Sequence, residues 1–159
     1  MPITVRHATP DDAEFIAAGN AAMALETENK TLDIDVLLPG VRAVLGDRSK
    51  GIYWIAEVDG APAGQLMITW EWSDWRNCMM WWIQSVFIVG EYRRRGVYSA
   101  LYDHIKALAR DDEECGGIRL YVETENTRAQ QTYAALGMCQ PGYLVMEEDL
   151  RQQKDEKTC

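Results

Sequence analysis

Three arginines stand in a row at Arg93-Arg94-Arg95, and Gly96 follows them. They lie between an apolar run ending Val86-Phe87-Ile88-Val89 and a helical stripe of Val97, Ala100, Leu101, His104, Ile105 and Leu108. A glycine-containing turn that opens a helix leaves the amides of its first turn unpaired. Those donors and the helix dipole together suit a phosphate or pyrophosphate. Cationic side chains before a helix N-terminus oppose the dipole, so the triplet looks placed for an anion. In isolation it would equally fit a solvated basic turn; the strand-turn-helix setting favours the anion. A second group is Asn126, Ala129 and Tyr133, spaced i, i+3, i+7. On a helix they share one face, and the small Ala129 leaves room for a ligand. The same residues also fit a capping Asn and a Tyr packed on a sheet.

The elements that must position these groups can be read from the pattern. Ile3 to Arg6 suits a short first strand. Thr9-Pro10-Asp11-Asp12 reads as a helix start, with Phe15, Ile16, Gly19, Ala22 and Met23 at helical spacing behind it. Glu26 to Thr31 reads as a polar loop. Leu37, Leu38, Val41, Val44 and Leu45 form a second helical stripe that ends near Gly46. Ile52 to Val58 and Ala63 to Trp72 read as strands joined by an Asp59-Gly60 turn, and Met79 to Val89 as a third strand of this meander. Gly116-Gly117 is expected to stop the helix that begins at Val97. Ile118 to Val122 follows as a strand, Thr127 to Leu136 as a helix closed by Gly137, and Tyr143 to Leu150 as a last strand. The order is β-α-α-β-β-β-α-β-α-β: a single-domain, mixed α/β fold over residues 1–150, with a frayed polar tail over 151–159.

The composition bounds the function. The chain has 159 residues, of which 47% are hydrophobic and 26% charged, values that suit one globular domain. Its net charge of −9 argues against a nucleic-acid binder, which needs a basic face. Cys78, Cys115, Cys139 and Cys159 show no CxxC or CxxH spacing, so no metal site is expected and free thiols are. The start of the chain does not read as a signal peptide, and no apolar run reaches the length of a membrane span. A cytoplasmic protein with no membrane partner is the expectation. His7, His104, Ser85 and Ser99 lack partners at a catalytic spacing and read as structural.

With both segments in place, the chain resembles the GCN5-related N-acetyltransferase (GNAT) family. That family's cofactor signature, [Q/R]-x-x-G-x-[G/A], is matched by Arg93-Arg94-Arg95-Gly96-Val97-Tyr98 except at its last position. Its second signature is matched by Asn126, Ala129, Tyr133, Gly137 and Met138, and the hairpin from Val58 to Gly64 resembles its second and third strands. The similarity runs from about Ile3 to Leu150. It implies an acyl-CoA N-acyltransferase fold whose fourth and fifth strands part to admit acetyl-CoA as co-substrate. By position, Val86, Phe87 and Ile88 then give main-chain bonds to the pantetheine, and the amides of Arg94 to Ser99 hold the pyrophosphate. Asn126 bonds the pantetheine arm, and Tyr133 protonates the departing thiolate.

Two positions depart from the pattern. Tyr98 replaces a small residue. Gln84 stands where many relatives carry a catalytic glutamate, and glutamine cannot take up a proton at neutral pH. Gln84 can orient the amine or a water; Glu71, Glu123 and Glu125 are candidates for a base, or the amine arrives neutral. In such proteins the acceptor is walled by the first helical loop and the third–fourth strand hairpin. Here these carry Glu26, Glu28 and Asp33, and Glu71 and Asp74, acids suited to an ammonium group or simply to water. Trp70, Trp72, Trp75, Trp81 and Trp82 crowd the same hairpin. They can pack the sheet, form a cation–π wall (Trp72 above all) or meet a second subunit. The implied activity is acetyl transfer to a primary amine, a small one, with a protein N-acetyltransferase or a non-catalytic acyl-CoA-binding or interaction module as the alternatives. A homodimer is a common arrangement in such families.

Overall fold

The structure is a computed structural model that describes residues 1–151; the rest of the expected polar tail, with Cys159, lies outside the described residues. The chain forms two compact units, Met1–Tyr121 and Val122–Cys159.

The first unit is built on a five-stranded sheet whose order follows the chain, β1-β2-β3-β4-β5. The strands are β1 (Ile3–His7), β2 (Ile52–Val58), β3 (Ala61–Ser73), β4 (Cys78–Ile88) and β5 (Cys115–Leu120). The first four pair antiparallel, and β5 joins β4 in parallel. The β2–β3 connection is the two-residue turn the sequence signals: Asp59 and Gly60 both have positive φ, 51° and 81°. Two helices, α1 (Ala13–Glu28) and α2 (Ile34–Gly46), share a core with one sheet face through Ile16, Ala17, Val41, Tyr53 and Ile55. Helix α3 (Val97–Asp111) buries Val97, Leu101 and Ile105, and the opposite sheet face presents the fully buried Leu66 and Ile68. Each such aliphatic side chain contributes about 1.5–3 kcal/mol by leaving water. The result is the expected mixed, mostly antiparallel sheet flanked by helices.

The differences from the sequence reading are local. Helix α1 does not break at Glu26. It continues to Glu28, where Asn29 enters the left-handed region at φ 51° and donates its N–H to the Ala24 carbonyl. Polar residues at the end of a helix cost little there, and the left-handed Asn decides the stop. Gly116 and Gly117 do not end α3 but lie inside β5. They are needed for close packing against β4: a Cβ on Gly116 would run into the Cys78 sulfur, and one on Gly117 would stand 2.7 Å from Met80 Cε.

The second unit is described over residues 122–151. Its helix α4 (Thr127–Ala135) begins at Asn126, whose Oδ1 accepts the Ala129 N–H at 3.1 Å, and closes at Gly137, φ 94°. Residues 143–150, expected as a final strand, carry no strand. A short apolar run makes a strand only where a neighbour completes its ladder.

One ion network ties the edge of the sheet to the start of α1. The Arg6 guanidinium reaches Asp12 at 2.8 and 3.0 Å and Glu57 at 2.7 Å, while Asp12 also accepts the Thr9 N–H at 2.7 Å. The bond from Arg6 holds the Asp12 carboxyl below its ordinary value of 3.8, against the opposing effect of burial. A carboxyl whose folded pKa is depressed stabilises the fold above its unfolded pKa and loses that contribution as pH falls through the folded one. Asp12→Ala should therefore cost about 2 kcal/mol at pH 7 in urea unfolding, and the difference from the wild type should vanish below the ordinary aspartate range.

Candidate active site

Strand β4 is where the sheet comes apart. On one side it pairs with β3 from Ser73↔Cys78 to Gly64↔Ile88. On the other it pairs with β5 only from Met79↔Cys115 to Ile83↔Leu120. Among the described residues, Gln84 to Ile88 thus run on with a strand neighbour on one side alone. The same stretch holds a β-bulge: Met67 pairs with Gln84 and Gln65 with Phe87, so Ser85 and Val86 together face Leu66. Ser85 has φ 54°, in the left-handed region that a residue with a Cβ rarely adopts. Beyond the bulge, the Val89 N–H donates to the Ala63 carbonyl at 2.9 Å, on the β3 side. Alternation then turns the main-chain groups of Phe87 toward β3 and those of Val86 and Ile88 to the edge that β5 has left.

That edge runs into the arginine turn. A short 3-10 turn, Gly90–Tyr92, leads to Arg94 at φ 62° and Gly96 at φ 83°, and α3 begins at Val97. Its first bond runs from the Ala100 N–H to the Gly96 carbonyl at 2.9 Å. The amides of Val97, Tyr98 and Ser99 precede that bond and lie outside the helical ladder. No side chain caps Gly96, and the first turn carries no acid. The arginines divide the work. Arg93 donates through Nε to the Ile88 carbonyl at 3.0 Å, pairs with Glu26 at 2.7 Å and lies 5.6 Å from the Phe87 ring centroid. It moors the turn to the end of α1. Arg94 and Arg95 are exposed. Exposed cations, first-turn amides and a left-handed glycine with open space around it form a cradle that fits a phosphate or diphosphate.

The expected acceptor residues are split between the sheet faces. Gln84 and Glu71 share the α1 face, as their pairing with Met67 and Met80 requires. Gln84 donates from Nε2 to Thr69 Oγ1 at 2.6 Å. Glu71 is bound by Arg119 of β5 at 2.9 Å. Arg119 also lies 5.9 Å from the Trp82 ring, which packs on Tyr121 at 4.6 Å. Trp72 pairs with Met79 on the other face and is 53% exposed; Trp75, in the hairpin turn, is 90% exposed. Glu28 is exposed at the end of α1, while Glu26 is engaged by Arg93. Thr69, Arg119 and Tyr121 were not singled out from the sequence. Their roles come from cross-strand register, and only a strand alignment could have brought them to Gln84 and Glu71. The histidines are packing groups: His7 lies 3.8 Å and His104 4.6 Å from the Trp54 ring. Burial holds the His7 pKa below its ordinary value.

The profile of the "Acetyltransferase (GNAT) family" matches residues 21–138. The chain belongs to the GNAT family. The match spans both the arginine turn and α4. No curated protein matches. Among solved structures, a possible acetyltransferase from Clostridium difficile 630 is 45% identical, with 94% of this chain and 99% of that one covered at a TM-score of 0.87. Two more distant structures share the fold. A predicted acetyltransferase with acetyl-CoA from Clostridium acetobutylicum is 15% identical, with 95% and 99% covered and a TM-score of 0.76. AAC(6')-Iy in complex with a CoA bisubstrate analogue is 17% identical, with 94% and 99% covered and a TM-score of 0.72. GNAT membership gives acyl transfer from a CoA thioester as the class of chemistry. Among the described residues no helix is long and apolar enough to cross a membrane.

The β4 bulge makes a prediction that needs no substrate. Ser85→Val puts a β-branched side chain at a positive φ and should destabilise the protein by about 1–2 kcal/mol. Thermal unfolding checks this, with Ser85→Gly melting no lower than the wild type.

Proposed function

We propose that the protein transfers an acetyl group from acetyl-CoA directly to a small primary amine. The observation that carries this reading is the open edge of β4, which ends at the amide cradle of α3. An extended pantetheine can take main-chain bonds from Val86 and from the Ile88 N–H along that edge, the Ile88 carbonyl being held by Arg93. Its diphosphate then lies at the amides of residues 94–99, neutralised by Arg94 and Arg95. Phe87 serves through its ring, which supports Arg93. Asn126 keeps its Nδ2 hydrogens for the pantetheine, because only its Oδ1 is used in capping α4.

In the reaction the amine nitrogen attacks the thioester carbonyl, an N–C bond forms and the C–S bond breaks. Tyr133 gives its proton to the departing sulfur and regains one from the attacking nitrogen by way of water. Holding both substrates in one cleft makes the attack effectively unimolecular. Glu71 is engaged by Arg119, which favours delivery of a neutral amine over abstraction by that carboxylate. Gln84 orients the amine. The net negative charge draws cationic amines toward the protein; a homodimer is the assembly this reading takes.

Free-thiol release from acetyl-CoA across a panel of small amines and short peptides tests the activity. A small amine should turn over; release with peptides alone would replace the small-amine assignment, and no release at all would favour a binding module. Tyr133→Phe should lower kcat about 100-fold, the lower range for a lost general acid, with acetyl-CoA affinity unchanged in calorimetry. Arg94→Glu combined with Arg95→Glu should weaken acetyl-CoA binding at least tenfold and leave the fold intact by circular dichroism, since each reverses an exposed charge beside the diphosphate.

A further inference from the structure

Gln65 is completely buried, although an apolar residue could fill the same place without giving up hydrogen bonds to water. Its Nε2 faces three acceptors: Asn20 Oδ1 at 2.9 Å, the Ile16 carbonyl at 3.2 Å and the Ser85 carbonyl at 3.4 Å. The first two belong to α1 and the third to the bulge of β4. Asn20, itself 7% exposed, donates onward to the Tyr53 hydroxyl at 3.1 Å. Gln65 also stands at the first regular pair beyond the bulge, opposite Phe87. Helix α1 comes close enough for this only because residue 19 is glycine. A Cβ there would lie 2.6 Å from Gln65 Oε1 and 2.9 Å from Phe87 Cδ1.

From this geometry we infer that Gln65 is a positioning residue for the acyl-CoA edge. It clamps the bulge of β4 to α1 and so fixes the direction in which Val86 and Ile88 present their main-chain groups. The bulge takes Ser85 out of the regular ladder, and a side-chain amide supplies the donor that a neighbouring strand would otherwise give. The part that concerns acetyl-CoA rests on the function proposed above; the part that concerns the bulge does not.

The test is Gln65→Met, which keeps length and apolar bulk but removes the amide. Hydrogen exchange followed along β4 should speed up about tenfold at residues 84–88, the loss of about one net hydrogen bond, and stay unchanged at 79–83. Acetyl-CoA binding by calorimetry should weaken by a similar factor, with the KM of the amine unchanged. Gly19→Ala pushes on the same amide from α1 without altering its chemistry. It should give the same local pattern, and it carries the test should Gln65→Met fail to fold. Exchange that rises evenly along β4, or not at all, would overturn the clamp. Local exchange with unaltered acetyl-CoA affinity would overturn its role in positioning. A wild type that does not bind acetyl-CoA would overturn the proposed function instead, and the exchange arm would still decide the clamp.

Discussion

A strand inside a sheet owes hydrogen bonds on both edges, and β4 meets that demand on one edge only after Ile83. Buried main-chain groups without partners are costly, so an open edge persists only where something else satisfies it. The rest of the first unit can be understood from that requirement. The Ile88 carbonyl is taken by Arg93, the Ser85 carbonyl is reached by Gln65, and the edge leads to helix amides with the same deficit. An acyl-CoA carries both kinds of partner in one molecule, amide groups along its arm and a diphosphate, which is the match the proposed function relies on.

Much of this was legible in the sequence. The Asp59-Gly60 turn, the meander that follows it and the stripe of α3 have short-range causes, and they form where the spacing puts them. The turn through Arg94 and Gly96 and the start of α3 at Val97 were legible because their causes lie close in sequence. What could not be read comes from contacts across the sheet. Nothing in the local pattern marks Ser85 for positive φ, because the extra residue is defined against Leu66 on another strand. The pairing of Glu71 with Arg119 joins β3 to β5 across β4. The Gly116-Gly117 pair was misread for the same reason: a helix stop and close strand packing both call for glycine, and only Cys78 and Met80 tell them apart.

The arginine triplet shows how one motif can hold different physical roles. Its first member serves the fold, bonded to Ile88, paired with Glu26 and resting on Phe87. The next two point to solvent and keep their charge available. An ion pair as exposed as Arg93–Glu26 contributes little to stability on its own. Its value lies in registering the turn against α1, so that the cradle and the helix move together.

The bulge at Ser85 also resets the parity of β4. Before it, the even-numbered residues face α1, as Gln84 does; after it, the odd-numbered ones do, as Phe87 does. Gln84 and Phe87 are three apart yet look the same way. Were the ladder to run straight through at this chain length, every side chain downstream would flip: Phe87 would turn toward α3, Ile88 would leave Gly64, and Arg93 would lose the ring it rests on. A strand one residue shorter at this point would keep the same faces, so the bulge adds a residue without changing which side chains meet α1.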